Sequence, residues 1–452
     1  MTVGKPMGLL LSFAMPLLFG MLFQQLYSFV DTAIVGRYLG AAKLAAVGAT
    51  NSVNFLVNGL CIGFCSGFSI PIAQAFGAKD GRALRQSVSH AIYLSAGLSL
   101  LMAVLTAAAC PTLLRWMNTP EEILPGAVSY IRIILMAIPC TVMYNMAAGM
   151  LRSVGDSRTP VIFLVVASLV NIVLDLILIL YAHLDVAGAA IATAISQFIS
   201  GIGCIWVIVR RFPMLHPDQA DMHFDPAKAL SMLNIGLPMG LQYSITAIGS
   251  VLVQWSVNGL GVDAVAAVSS AAKLSAFFYC LIDALAATMA TFAGQNAGAR
   301  KLGRIRAGLK DASIIGSLYC LAAFAVLLFF REPLLSIFVN RETDPVVMEL
   351  ASRFLLINSA FYIPLLFVNI VRFSIQGMGY TKAAMIAGVC EMVARSAVAI
   401  FLVPTLGFTG ACFANPAAWV AADLFLFPCF FKVIRSLAYR LGCSTSEGMQ
   451  ES

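Results

Sequence analysis

RRFPMLHPDQADMHFDPAK, residues 210–228, is the longest polar stretch between apolar segments, and it decides how the rest of the chain divides. Three prolines and no regular apolar spacing mark it as a connector. On each side apolar runs recur, mostly of ~20 residues or more, the length a helix needs to cross a bilayer. Cutting at charged and Pro/Gly clusters gives six before it, near 9–36, 48–76, 88–114, 127–150, 160–182 and 187–209. Six more follow, near 231–258, 265–293, 311–330, 350–376, 383–403 and 408–431. The expected fold is an all-α integral membrane protein of twelve transmembrane helices. Residues 1–209 form one six-helix lobe and 231–435 the other, with a linker at 210–230 and a cytoplasmic tail at 436–452.

Composition agrees. Of 452 residues 60% are hydrophobic and 11% charged, with a mean hydropathy of +0.90, whereas soluble domains carry about 25% charged residues. Ten of the eleven cysteines fall in apolar segments, where a thiol acts as a small hydrophobe. Cys61 and Cys65 share a helix face but lack the further ligands a metal site needs. His216, Asp218, Asp221, His223 and Asp225 in the linker also lack ligand spacing and are expected to belong to a solvated connector. His90 and His183, near span ends, are read as packing or interfacial residues. No Walker motif, HExxH or nucleophile elbow appears, so neither an enzyme nor an ATP-driven pump is expected, and no cofactor. The first apolar run is longer than a signal-peptide core and lacks a strongly basic front, so it is read as a retained span.

Twelve spans place both termini on one side of the membrane. That side carries Lys79, Arg82, Arg85, Arg300, Lys301, Arg304, Arg306 and Arg372, and takes more than twice as many Lys and Arg as the other. The positive-inside rule makes it cytoplasmic. The net charge of +7 then reflects topology and calls for no nucleic-acid partner.

The halves repeat each other at a lag near 221. LGAAKLAAVG (39–48) matches LGVDAVAAVS (260–269), AQAFGAK (73–79) matches GQNAGAR (294–300), and VAGAA (186–190) matches FTGAC (408–412). Six spans per half is an even number, so the two copies enter the membrane the same way up. That predicts a pseudo-two-fold axis along the membrane normal, as in parallel-repeat transporters. Gly59, Gly63 and Gly67, spaced four apart, suit close helix packing.

Charges inside the spans are the candidates for function. One carboxylate at the centre of a bilayer costs about 2.5–3.5 kcal/mol on insertion scales, so such residues are functional by default. Asp31, Asp175, Asp283, Lys273, Glu391 and Arg395 all qualify. Asn171 and Asp175 project from one helix face, as do Glu391 and Arg395, acid first, which makes a favourable structural ion pair. Gln24 and Tyr27 lie on roughly the face of Asp31. Asp283 has no sequence-local partner; it pairs with Arg395 or Lys273, or stays free to bind substrate.

PLLFGMLFQQLYSFVDTAIVGRYLG (16–40), IAQAFGAKD (72–80), RSVGDSRTP (152–160), NIVLD (171–175), VAGAAIATAISQ (186–197), PMGLQYSITAIGS (238–250) and GQNAGAR (294–300) together resemble the multidrug and toxic compound extrusion (MATE) family of bacterial type. The resemblance runs from about residue 10 to 435. It implies efflux of organic cations and other amphipathic compounds, by antiport with Na⁺ or H⁺, across the cell membrane. It also implies a cation-coupling cluster of Asp31, Asn171, Asp175 and Thr193, with Gln24 and Tyr27 lining a substrate cavity. Two carboxylates close together in low dielectric cannot both stay charged without a cation, so the cluster holds a proton or a hard cation such as Na⁺. Where some family members carry an acid on the seventh span, 231–258 has only Gln242 and Gln254. Coupling is therefore expected in the amino-terminal lobe. The expected partners are small amphipathic substrates and membrane lipids, and a monomer is expected. The alternative is a flippase for a lipid-linked or polyprenyl carrier. It calls for a more basic cavity than Lys273 and Arg395, the clear internal bases, supply.

Overall fold

A computed structural model describes residues 1–117, 119–339 and 344–441 of the chain. Arg341, Cys443 and the tail from 442 onward lie outside the described residues. Every regular element among the described residues is helical. The first half contains α1 (Pro6–Leu39), α2 (Ala41–Ala49), α3 (Asn51–Gly77), α4 (Gly81–Trp116), α5 (Leu124–Met136), α6 (Ile138–Ser153), α7 (Arg158–Leu176) and α8 (Asp185–Arg211). The second contains α9 (Pro226–Asn258), α10 (Val262–Gly298), α11 (Leu302–Leu335), α12 (Pro345–Ala360), α13 (Tyr362–Gly377), α14 (Thr381–Ala397), α15 (Val403–Leu406), α16 (Phe408–Cys412) and α17 (Ala414–Arg440).

Ten helical stretches are long and apolar enough to cross a membrane, and two bent pairs complete the twelve spans. The bent pairs are α5–α6, at 43°, and α12–α13, at 51°. Pro139 and Pro364 sit just after the two breaks, and proline removes an N–H and kinks a helix. Outward-facing side chains such as Leu100, Val104, Phe329 and Leu424 are apolar and more than 60% exposed, as a surface solvated by lipid requires.

The repeat read in the sequence reappears in the backbone at the same spacing. It relates the starts of α2 and α10, of α4 and α11, and of α5 and α12. It also relates Lys79 (φ 57°) to Arg300 (φ 58°), two non-glycine residues in the left-handed region. Each ends a helix by the same device, in which the next residue's N–H reaches back to a carbonyl of the last turn: Asp80 to Ala75 at 3.1 Å, Lys301 to Asn296 at 2.9 Å. That is a Schellman-type cap. A π-helical turn follows α7 at Ile177–Tyr181 and α14 at Val398–Leu402, again at the repeat spacing. Against each turn lies a glycine: a Cβ on Gly188 would sit 3.2 Å from the Leu178 backbone, and one on Gly410 2.5 Å from the Leu402 carbonyl. The shared Gly-Ala of VAGAA and FTGAC is thus explained by close approach to a widened turn. The copies differ at α2–α3, which break at Thr50 where the second half keeps the single helix α10.

The chain forms two compact units, Phe19–Leu241 and Met1–Leu18 with Gln242–Ser452. The division falls within α1 and α9, not at the linker 210–230. In the first unit, Gly63 and Gly67 of α3 meet the opening turns of α9 backbone to backbone. A Cβ on Gly63 would lie 2.6 Å from Gly240 Cα, and one on Gly67 2.5 Å from Gly236 Cα. This ladder of small residues holds residues 226–241 in the first unit, whose core centres on Phe68, Ile131, Leu135 and Leu151. In the second unit Leu10 and Ala14 of α1 join a core that includes Ile282, Met289, Phe292 and Leu366.

The linker is largely exposed, as its composition suggests, yet it is docked on α4 at defined points. Asp221 is 3% exposed, and its carboxylate accepts from Arg85 Nε at 2.5 Å. Ser89 donates to the Asp221 carbonyl at 2.9 Å, and Tyr93 to that of Met222 at 3.0 Å. His90, buried against Phe224, accepts the Asp225 N–H at Nε2 (2.9 Å), while Nδ1 lies 2.7 Å from the Gln86 carbonyl. These partners need a neutral ring protonated at Nδ1. His90 is therefore a docking residue for the linker. No cluster of three or more metal-ligating side chains occurs among the described residues.

Candidate functional site

α7 carries Asn171 and Asp175 one turn apart on its buried face, 1% and 0% exposed. The π turn begins two residues later, and single π turns within helices are frequent at functional sites. Asp31, from α1, stands close enough to Asp175 for the two carboxyls to interact directly. Asp31 Oδ1 and both Asp175 oxygens are buried and have no donor among the described residues. No Lys or Arg forms an ion pair with either acid there. Tyr27, one helical turn before Asp31, donates its hydroxyl to Asn171 Oδ1 at 2.5 Å. Asn171 Nδ2 in turn donates to Thr193 Oγ1 of α8 at 3.4 Å, and Thr193 donates to the Ala189 carbonyl at 3.0 Å. Tyr130 of α5 faces the same two carboxylates. Side chains of four helices, α1, α5, α7 and α8, thus converge on two acids without a basic partner among the described residues and on the neutral oxygens around them.

The family model MatE matches residues 16–177 and again 238–401, so each half carries one copy. The chain belongs to the MATE family. It is 30% identical over 371 residues to a Bacillus subtilis (strain 168) protein described as probable multidrug resistance protein YoeA, covering 79% of this chain and 78% of that one. It is 25% identical over 396 residues to the FAD transporter of Shewanella oneidensis, with 86% and 87% covered. Among solved structures, a MATE protein crystallised in complex with MaL6 superposes with a TM-score of 0.89 at 25% identity, over 96% and 98% of the two chains. A multidrug resistance MATE transporter of the MOP superfamily in its outward-facing conformation gives 0.88 at 25% identity, over 96% and 97%. Family and fold together make this chain a multi-pass MATE membrane transporter.

Other residues singled out in this MATE sequence fall elsewhere. Asp31, Asn171, Asp175 and Thr193 come together, and Tyr27 joins their hydrogen-bond network. Gln24, one turn earlier on α1, is exposed and makes no hydrogen bond among the described residues. Asp283 and Lys273 on α10 are both exposed, and Asp283 forms no ion pair with Lys273 or Arg395.

In the second unit Glu391 and Arg395 do pair, Arg395 Nη2 lying 3.6 Å from Glu391 Oε2. Glu391 Oε1 is taken by a further partner, Arg372 Nη2 of α13. This corrects the placement of Arg372 on the cytoplasmic face: it stands near the end of its span, but its side chain turns inward and is 7% exposed. Asp423 of α17, a half-buried acid with one fully buried oxygen, also faces the cluster. Gln242, the polar residue the seventh span offers in place of an acid, is buried and accepts from Gln376 Nε2 at 2.6 Å. Asp423 has a sequence signal, since it is an acid inside the last apolar run. Tyr130 has none beyond being a tyrosine in an apolar span.

Proposed function

We propose that this MATE transporter exports amphipathic organic cations and other drug-like compounds by antiport, with Asp31 and Asp175 as the site that binds the driving Na⁺ or H⁺. The observation that carries this reading is a pair of neighbouring carboxyls with buried, unpartnered oxygens and no ion pair to a basic side chain among the described residues. Two like charges so placed in low dielectric demand either a proton between them or a small cation. Tyr27, Asn171 and Thr193 supply neutral oxygens around the pair, and hard cations take oxygen ligands. Asn171 is held at both ends, so it orients the group and does not swing freely.

Cation entry from outside neutralises the pair and favours the conformation that releases drug. Loss of the cation to the cytoplasm restores negative charge and favours uptake of the next organic cation. A bound ion shifts such an equilibrium only by its differential affinity for the two states, so removing a carboxylate removes the drive. The relatives named for multidrug resistance support this substrate class, and the relative named as an FAD transporter shows a second cargo on the same fold. The charge bias of the loops assigns the termini to the cytoplasm, and the family relationship favours the cell membrane.

Asp31→Asn tests the reading. Purified and reconstituted in proteoliposomes with an imposed Na⁺ or pH gradient, the variant is expected to lose uphill export of a cationic dye at least tenfold. Dye binding measured by fluorescence polarisation is retained. Export at the wild-type rate would sink the assignment.

A further inference from the structure

We propose that Arg372 and Arg395 are built-in counter-cations of the carboxy-terminal half. They fill the position a coupling ion would need beside Glu391, so that half binds and releases no ion during transport. The proposal rests on the reading of Asp31 and Asp175 as the exchange site, because it assigns exchange to that site alone.

The two repeats set up the comparison. Both have a helix ending in a π turn, α7 and α14, and the repeat spacing that superposes the turns lays Met392 on Asn171 and Ser396 on Asp175. The ligands of the first copy are therefore gone from the second. Met392 offers a thioether, and Ser396 spends its hydroxyl on the Met392 carbonyl at 2.8 Å. Charge returns one residue earlier in each case, as Glu391 and Arg395, about 100° round the helix.

There the acid already stands between two guanidinium groups. One Glu391 oxygen accepts from Arg372 and the other faces Arg395, and all three side chains are less than a tenth exposed. An entering Na⁺ or proton would have to displace a guanidinium that its own chain holds in place. Arginine cannot give up its charge as a lysine can. Arg395 is also wedged: a Cβ on Gly249 of α9 would lie 3.4 Å from its Cδ and 3.3 Å from Met392 Cα.

The remaining groups facing the cluster are Asp423 and the phenols of Tyr243 and Tyr279, with Asp283 beside Tyr279 on α10. Two arginines balance Glu391 and Asp423, the acids that face them directly, and Asp283 stands outside that group, against Tyr279. The first site holds two acids and no base. The electrostatic contrast between the copies is what assigns them different tasks.

The test is cation binding to the full chain in detergent, read as the shift of thermal midpoint with NaCl and with pH, together with the cation-to-dye ratio in proteoliposomes. In the wild type we expect one saturable cation response and one cation per dye. Asp31→Asn with Asp175→Asn should abolish the response, whereas Glu391→Gln with Asp423→Asn should leave it intact. Arg395→Met should add a second saturable response that survives loss of Asp31 and Asp175, raising the ratio toward two, and Arg395→Lys should restore one. Should Arg395→Met fail to fold, the two acid-to-amide pairs still decide the matter.

A response that persists without Asp31 and Asp175 but disappears with Glu391 and Asp423 would overturn the proposal, since the second half would then exchange an ion. A response that survives both pairs would instead sink the first-site reading while leaving the second half silent, as proposed.

Discussion

At the residue scale the proposed exchange chemistry rests on Asp31 and Asp175, with their neighbours setting its affinity. The Tyr27 hydroxyl is the donor to Asn171 Oδ1, so Tyr27→Phe leaves a buried amide oxygen unpaired, at about 1–3 kcal/mol. We expect the half-saturating Na⁺ or H⁺ concentration for dye export to shift by roughly 5- to 150-fold, with maximal rate largely kept. An unchanged cation dependence would mean that Tyr27 serves only packing. The candidates in this cluster were legible in sequence because a charge in an apolar run stands out, and because Asn171 and Asp175 share a helix face. The bond from Tyr27 to Asn171 was not legible, since it joins residues 144 apart and depends on how α1 meets α7. Arg372 illustrates the opposite error. Near a span boundary, a basic residue looks the same whether it reaches out to water or turns in to an acid on the next helix.

At the scale of elements, close backbone approach organises the first unit. Gly67 meets Gly236 with no space for a methyl group, and overpacking of this kind costs about 1–3 kcal/mol. Gly67→Val should lower the thermal midpoint of the detergent-purified protein and its folded yield, whereas Gly97→Ala, where a Cβ meets nothing within 4 Å, should change neither. The period of small residues on α3 made the contact predictable, but not its partner. The docked linker was hidden because no periodic pattern betrays a polar segment that binds through backbone carbonyls. Its anchor has a defined pH response. The hydrogen bond from Arg85 holds the Asp221 carboxyl below the usual carboxylate range. A carboxyl lowered in the folded state stabilises above its unfolded value of about 4 and loses that contribution as pH falls through the folded value. Hydrogen exchange over residues 212–225 should therefore stay slow from neutral pH to about pH 4 and accelerate below it. In Asp221→Asn it should already be fast at neutral pH. Equal protection in the variant and the wild type at neutral pH would show that the ion pair does not hold the linker.

For the whole molecule, duplication followed by divergence accounts for both the repeat of elements along the chain and the contrast in charge between the copies. The twelve spans were readable because apolar length is a local property. The unit boundaries inside α1 and α9 were not, because they depend on which core each end of a long helix joins. Orientation is the property of the whole chain still open to direct test, and two helices make it sharp. α4 runs from Gly81 to Trp116 and α11 from Leu302 to Leu335. At 1.5 Å per residue each is about 50 Å long, enough to cross the ~30 Å hydrocarbon core with both ends in water. Arg82 and Arg306 are exposed near the amino-terminal ends of these helices, on the face richer in Lys and Arg. Arg115 and Arg331 lie near the opposite ends. In a background with the native cysteines replaced, single cysteines at Arg82 and Arg306 should react with a membrane-impermeant maleimide only in inside-out vesicles. Cysteines at Arg115 and Arg331 should react only in intact cells. Labelling of Arg82 or Arg306 positions from outside would invert the topology, and with it the direction in which the Asp31–Asp175 site meets its ion.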